Sequence, residues 1–169
     1  MNEAAFKSIC KLFEEHSVEY KVIDHPACRT SLESAAARAA AGAPAAIGAK
    51  AILVNMTFDQ GRTEFGVLVL PGNMRIDSKA VKSAIQQLKR FRFASAEEML
   101  LLCGVIPGCM PPFAAPIFPE VPALFIDNSL LSYEWLGFNA ASLERSIVVR
   151  SQDYLRVARH TNILSFSSL

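Results

Sequence analysis

The chain has 169 residues, of which 51% are hydrophobic and 20% charged, and its net charge is +1. That length suits one domain burying roughly 70% of the unfolded chain's surface, and the composition excludes a disordered segment. A charge so near zero gives no field for tight, non-specific binding to a long duplex, although it leaves room for a small local contact.

In chain order, Phe6, Ile9, Cys10 and Phe13 recur at helical spacing and predict an amphipathic helix over residues 3–16. Tyr20 to Ile23 reads as a short strand ended by Asp24-His25-Pro26, because the residue before a proline is pushed towards extended geometry. Thr30 or Ser31 caps an alanine-rich helix, Leu32 to Ala41, with Gly42 as its stop. Its alanines allow close approach to a neighbour. Residues 43–48 form a linker into Lys50-Ala51-Ile52-Leu53-Val54, an apolar strand entered by one cation. Lys50 is the only charge between Arg38 and Asp59. Such a lysine is either a solvated strand end or a fixed point charge for an anionic or carbonyl-bearing ligand.

Ala51 to Thr57, the turn Asp59-Gln60-Gly61-Arg62 and Phe65 to Leu70 predict a β-hairpin with two apolar arms, broken after it by Pro71-Gly72-Asn73. Asp77 caps a helix with Ala80, Val81, Ala84, Ile85 and Leu88 on one face and Lys79, Lys82 and Lys89 on the other. Those lysines read first as a solvated face. Phe91 to Phe93 is a brief strand. Ser95 and Glu98 make a capping box for a helix ending near Cys103, with Gly104 at its C-terminus. The proline-rich loop Gly104 to Pro122 has no regular structure but is stiff. Three strands come next, Ala123 to Ile126, Trp135 to Phe138 and Ser146 to Val149, then a helix opened by Ser151. The tail from His160 to Leu169 shows no firm pattern and is expected to be loosely ordered. Strands and helices mix without strict alternation. The expectation is a single compact α+β domain over residues 1–169, a mixed β-sheet surrounded by helices.

The common catalytic signatures are absent: no Walker loop, no dinucleotide fingerprint and no nucleophile elbow. Cys10, Cys28, Cys103 and Cys109 show neither CxxC spacing nor paired histidines, so no metal site and no cofactor are expected. No secretory leader is legible, which makes reduced thiols in a cytoplasmic setting the expectation. No apolar run is long enough to span a bilayer. His25 is a turn residue, or the base for a Cys109 thiolate, which needs such a partner. In the long loop, Gly108 permits unusual backbone geometry, and Pro111 and Pro112 stiffen the chain just beyond it. Amides of Gly108, Cys109 and Met110 aimed into a cleft would suit a carbonyl oxygen gaining negative charge.

Together these stretches resemble a family. His25-Pro26, Gly48-Ala49-Lys50-Ala51, Val67 to Pro71, Arg75-Ile76-Asp77, and Gly104 with Gly108-x-x-x-Pro112 occur in the order and spacing of the YbaK/prolyl-tRNA synthetase-associated editing-domain superfamily. Ile126-Asp127 and Phe138-Asn139-Ala140 fit as well, so the resemblance runs from about Val18 to Leu155. It implies a free-standing trans-editing hydrolase that removes a small amino acid such as Ala, Ser or Thr from mischarged tRNA. Lys50 matches the family's functional lysine and Gly108 to Pro112 its substrate-binding loop, so Lys50 and Gly108 are the implied catalytic positions. His25, Thr30, Cys109, Met110, Pro111, Pro112, Asn139 and Ala140 are the implied substrate-binding ones. The chemistry implied uses water, backbone groups and the terminal ribose hydroxyl, without metal. The implied partners are aminoacyl-tRNA and a tRNA synthetase, with Lys79, Lys82 and Lys89 as the cations available to the tRNA body. No DNA or membrane partner is expected. The chain departs from the pattern at Asn139-Ala140-Ala141, where many members have a glycine-rich turn. Two other readings stand beside this one: a non-catalytic tRNA- or synthetase-binding module, and a Cys109-dependent ester or thioester hydrolase.

Overall fold

The computed structural model describes residues 1–169. The fold is α+β, a mixed sheet flanked by helices. In chain order the helices are α1 (Glu3–Glu15), α2 (Ser31–Ala40), α3 (Ser78–Ala84), α4 (Ala96–Cys103) and α5 (Ser151–Val157). The strands are β1 (Tyr20–Asp24), β2 (Ile47–Phe58), β3 (Thr63–Pro71), β4 (Arg75–Ile76), β5 (Leu88–Phe93), β6 (Ala123–Asp127), β7 (Trp135–Asn139), β8 (Arg145–Arg150), β9 (Asn162–Leu164) and β10 (Ser167–Ser168). The main sheet has the order β1-β8-β7-β2-β3-β6-β9, with β5 joined to β2 off this path. The β2–β7, β3–β6 and β6–β9 pairs are parallel and the rest antiparallel.

Strand alternation divides the core in two. Val67 and Val69 of β3 face a cluster of 30 buried residues, while Leu68 and Leu70 face a second cluster of 11. A strand covered on both faces must be apolar throughout, which is why Val67 to Leu70 reads as an unbroken hydrophobic run. The larger core takes the inner face of α1, with Ala5, Ile9, Leu12 and Phe13 buried. The smaller takes Val81 of α3 and Phe166 of the tail.

The expected caps form as physics requires. Asp77 Oδ1 accepts from the Lys79 and Ala80 amides, and Ser95 with Glu98 closes a capping box. Thr30, not Ser31, is the cap of α2, in a second box with Glu33. Three expectations need correction. Helix α3 ends at Ala84, so Lys89 is not on the helical face with Lys79 and Lys82 but on β5, where it pairs with Asp59 at 3.4 Å. Strand β2 begins at Ile47, inside the segment expected to be a linker. The tail is not loose: β9 pairs with β6, β10 pairs with β4, and Phe166 is 1% exposed. The physical reason is Asp127, whose Oδ2 accepts both the Phe166 and Ser167 amides at 2.8 Å. No helix is long and apolar enough to cross a membrane.

Candidate active site

The site begins as a gap in the sheet. One edge of β2 pairs with β3 from Ala49 to Thr57. The other edge meets β7 only at Ile47 and Gly48, and β5 only from Val54 onward. Gly48 O accepts from the Gly72 amide on the β3 side, and Leu53 O from the Ala94 amide on the opposite side. Backbone groups alternate along a strand, so beyond the β7 pairing the Ala49 carbonyl and the backbone groups of Ala51 face the gap. Gly48 to Ile52 form one wall of a cavity of about 260 Å³.

The long loop makes a second wall with Gly108 and Met110. Gly108 has φ +90°, a backbone state in which a side chain is strained, and a Cβ there would also press on Leu143. The loop is anchored from below. Phe113 packs edge-on against Phe13, Phe138 and Tyr154, and the Tyr154 hydroxyl donates to Pro112 O at 2.7 Å. Gly108 O accepts from Asn139 Nδ2 at 2.8 Å. The Cys109 amide turns back to Ile106 O, so of the three expected donors the Gly108 and Met110 amides are left without a protein acceptor. The expected row of three amides is thus a pair.

Helix α2 supplies the third wall through Thr30, Ser31, Ser34 and Arg38. Asn139 Oδ1 accepts from Ser34 Oγ at 3.2 Å and from Ser146 Oγ at 3.3 Å. One amide side chain therefore ties α2, β8 and the Gly108 loop together. Three cations line the cavity, Arg29, Arg38 and Lys50, and no carboxylate does. Lys50 is half-buried and its Nζ donates to Met74 O at 2.6 Å. Burial, and then the Arg75 cation, hold its ammonium below the ordinary lysine range. The tail braces this contact, because β10 pairs with β4 next to Met74 and Ser167 Oγ reaches Met74 Sδ at 3.5 Å.

Of the residues expected at the site, Lys50, Thr30, Gly108, Met110 and Asn139 line the cavity together. His25 stands behind it, with Nε2 2.8 Å from Ser146 Oγ and Nδ1 2.8 Å from Pro26 O. The cysteine beside His25 is Cys28, at 3.5 Å, and both ring nitrogens are engaged without Cys109. Cys109 is 1% exposed, and burial pushes its thiol up, away from the thiolate. Pro111, Pro112 and Ala140 are buried outside the cavity lining. In the Asn139-Ala140-Ala141 stretch, where the chain departs from the family pattern, Ala141 takes φ +57°, a strain of about 1–3 kcal/mol, without entering the cavity. Lys79, Lys82 and Lys89 are not in the lining either. Sequence reasoning missed Arg29, Ser34, Arg38 and Gly137. The available signal was Ser34 and Arg38 spaced four apart in a helix otherwise rich in alanine. No group of three His, Cys, Asp or Glu side chains is placed to hold a metal ion.

Fold and site together define a mixed-sheet domain with one small cavity lined by three cations and no carboxylate. The comparisons narrow that class: residues 25–157 match the aminoacyl-tRNA editing domain, and the chain belongs to that family. It is 27% identical over 149 residues to the multifunctional Ser/Thr-tRNA deacylase ProXp-y of Escherichia coli K12, covering 88% of this chain and 84% of that one. The fold is similar to a crystal structure described as a candidate trans-editing enzyme for prolyl-tRNA synthetase, with TM-score 0.74, 19% identity and 98% of each chain covered. It is also similar to a hypothetical protein of solved structure, with TM-score 0.74, 18% identity and 95% and 99% of the two chains covered.

Proposed function

We propose that the protein hydrolyses, in trans, the ester joining a small amino acid to the 3′ end of the wrong tRNA. The observation that carries this reading is the meeting of Lys50, the open backbone edge of β2 and the free Gly108 and Met110 amides around one cavity of about 260 Å³. The family membership and the similarity to a Ser/Thr-tRNA deacylase support it.

In this reading a water molecule attacks the acyl carbonyl carbon. The Gly108 and Met110 amides donate to the oxygen as it becomes an oxyanion, where preorganised donors contribute most. The ester C–O bond then breaks, the ribose oxygen takes up a proton, and free amino acid and tRNA leave. Lys50 acts as a point charge on the terminal phosphate or ribose, held in place by Met74 O. Asn139 positions the loop by its bond to Gly108 O. The reading carries with it a cytoplasmic location, aminoacyl-tRNA as partner and association with a tRNA synthetase. Lys79, Lys82 and Lys89 are the proposed contacts to the tRNA body, each changing the salt slope by about one unit or less.

The test is deacylation of a panel of mischarged tRNAs by the wild type and Lys50→Ala, with circular dichroism on both. The expected result is a folded variant that has lost most of its turnover, since the strand core does not need this charge. Undiminished turnover in a folded Lys50→Ala would remove Lys50 from the mechanism, and no turnover by the wild type on any ester would overturn the function.

A further inference from the structure

Arg38 is the least expected residue of the cavity wall. It is 3% exposed, forms no ion pair, and its Nε and Nη2 are sealed from solvent without any acceptor. Its guanidinium lies over Gly137 of β7 and beside Gly48 of β2, which are paired in register. A Cβ at position 137 would fall 2.8 and 2.9 Å from Arg38 Cδ and Cζ, so the fold leaves out a side chain to admit this cation. Burial disfavours its charge, and an enclosed cation without acceptors is among the costlier arrangements a domain can hold. No carboxylate in the cavity compensates it.

We infer that Arg38 is a specificity-determining residue whose missing acceptor is an oxygen on the side chain of the bound aminoacyl group, such as the hydroxyl of a seryl or threonyl ester. This rests on the deacylase reading and extends it. Burial and lining direct the choice of ligand atom. Of the three cations that line the cavity Arg38 is the buried one, whereas Arg29 is exposed and Lys50 half-buried. In the deacylase reading the phosphate belongs to the polynucleotide and is met by Arg29 and Lys50, which leaves the small acyl group for the buried Arg38. The guanidinium nitrogen that is not sealed, Nη1, is the one left to a ligand, and the lining residues beside it, Ser34, Gly48 and Gly137, supply no carboxylate.

Size alone separates alanine, serine and threonine weakly, whereas a site built to donate to a hydroxyl disfavours the analogue that lacks it. An alanyl ester leaves the guanidinium without its acceptor, and a lost acceptor of this kind corresponds to roughly 5- to 150-fold in selectivity. Arg38 is therefore the residue that prefers seryl and threonyl over alanyl esters.

The test measures kcat/KM for seryl-, threonyl- and alanyl-tRNA with the wild type, Arg38→Met and Arg38→Lys, together with thermal denaturation. The wild type is expected to favour the two hydroxyl-bearing esters, and Arg38→Met to lose that preference while its Tm stays unchanged or rises, since a sealed unpaired cation has been replaced by a packed apolar chain. Arg38→Lys is expected to keep part of the preference. The same ratio read as the affinity for non-hydrolysable 3′-serylamino- and 3′-alanylamino-adenosine keeps the inference testable if turnover is absent and the deacylase reading fails. Equal losses on all three esters in Arg38→Met would assign Arg38 to the phosphate and overturn the inference. A wild type without preference, or a folded Arg38→Met that keeps it, would overturn it too and leave the deacylase reading standing.

Discussion

Helices α1 and α2 are both amphipathic, yet they bury opposite faces. Helix α1 follows the usual rule, with Ile9 and Phe13 fully buried against the sheet and its charges outward. Helix α2 reverses it: Ser34 and Arg38 are its buried residues, while Leu32 is 81% exposed. A helix that turns its polar stripe inward gains little from hydrophobic burial, and it depends on its Thr30–Glu33 capping box and its packing on β2 and β7. Local rules are most often broken where a protein carries its function. The first helix holds the fold together, and the second holds one wall of the cavity.

That division makes distinct predictions for the two helices. The largest effect is expected on the α1 side. Ile9→Ala empties a fully buried site and lowers stability by about 2–5 kcal/mol, with kcat/KM of the remaining folded protein unchanged; chemical denaturation beside a deacylation assay checks both halves. Next comes Gly137→Ala, which drives a methyl group into the Arg38 guanidinium. The expected loss in kcat/KM is about 100-fold, the scale of a displacement of roughly 1 Å in a positioned group, and the same assay reads it. Smallest is Leu32→Ser. An exposed leucine on the outer face of α2 changes stability by less than about 0.5 kcal/mol and activity not at all. A large loss in either would show that the outer face of α2 is covered in the working protein.

Much of this contrast was legible in the sequence of α1 and little in that of α2. The spacing of Ile9 and Phe13 identifies the buried face directly. In α2 the apolar pattern is alanine nearly all round, which leaves the buried face unspecified, and which stripe turns inward depends on Gly48 and Gly137 arriving from two distant strands. Lys50 was legible because it interrupts an apolar run. The Gly108 loop was legible as stiff from its prolines, but the aromatic cluster that anchors it draws on Phe13 near the start of the chain, and the Tyr154 hydroxyl comes from 42 residues beyond the bonded Pro112. The tail was unreadable for the same reason: its order comes from Asp127, far back in the chain, acting on the two amides of Phe166 and Ser167. Lys89 shows the opposite failure. A helical pattern continued past Ala84 on paper, whereas Gln87 takes positive φ and the chain turns into β5.

The measurement that bears most directly on the account is a crystal structure with a non-hydrolysable 3′-serylamino-adenosine. The account predicts the seryl group inside the cavity between the open edge of β2 and α2, its carbonyl oxygen at the Gly108 and Met110 amides and its hydroxyl at Arg38. A seryl group bound elsewhere, with Arg38 still unpaired and the loop amides unengaged, would contradict it.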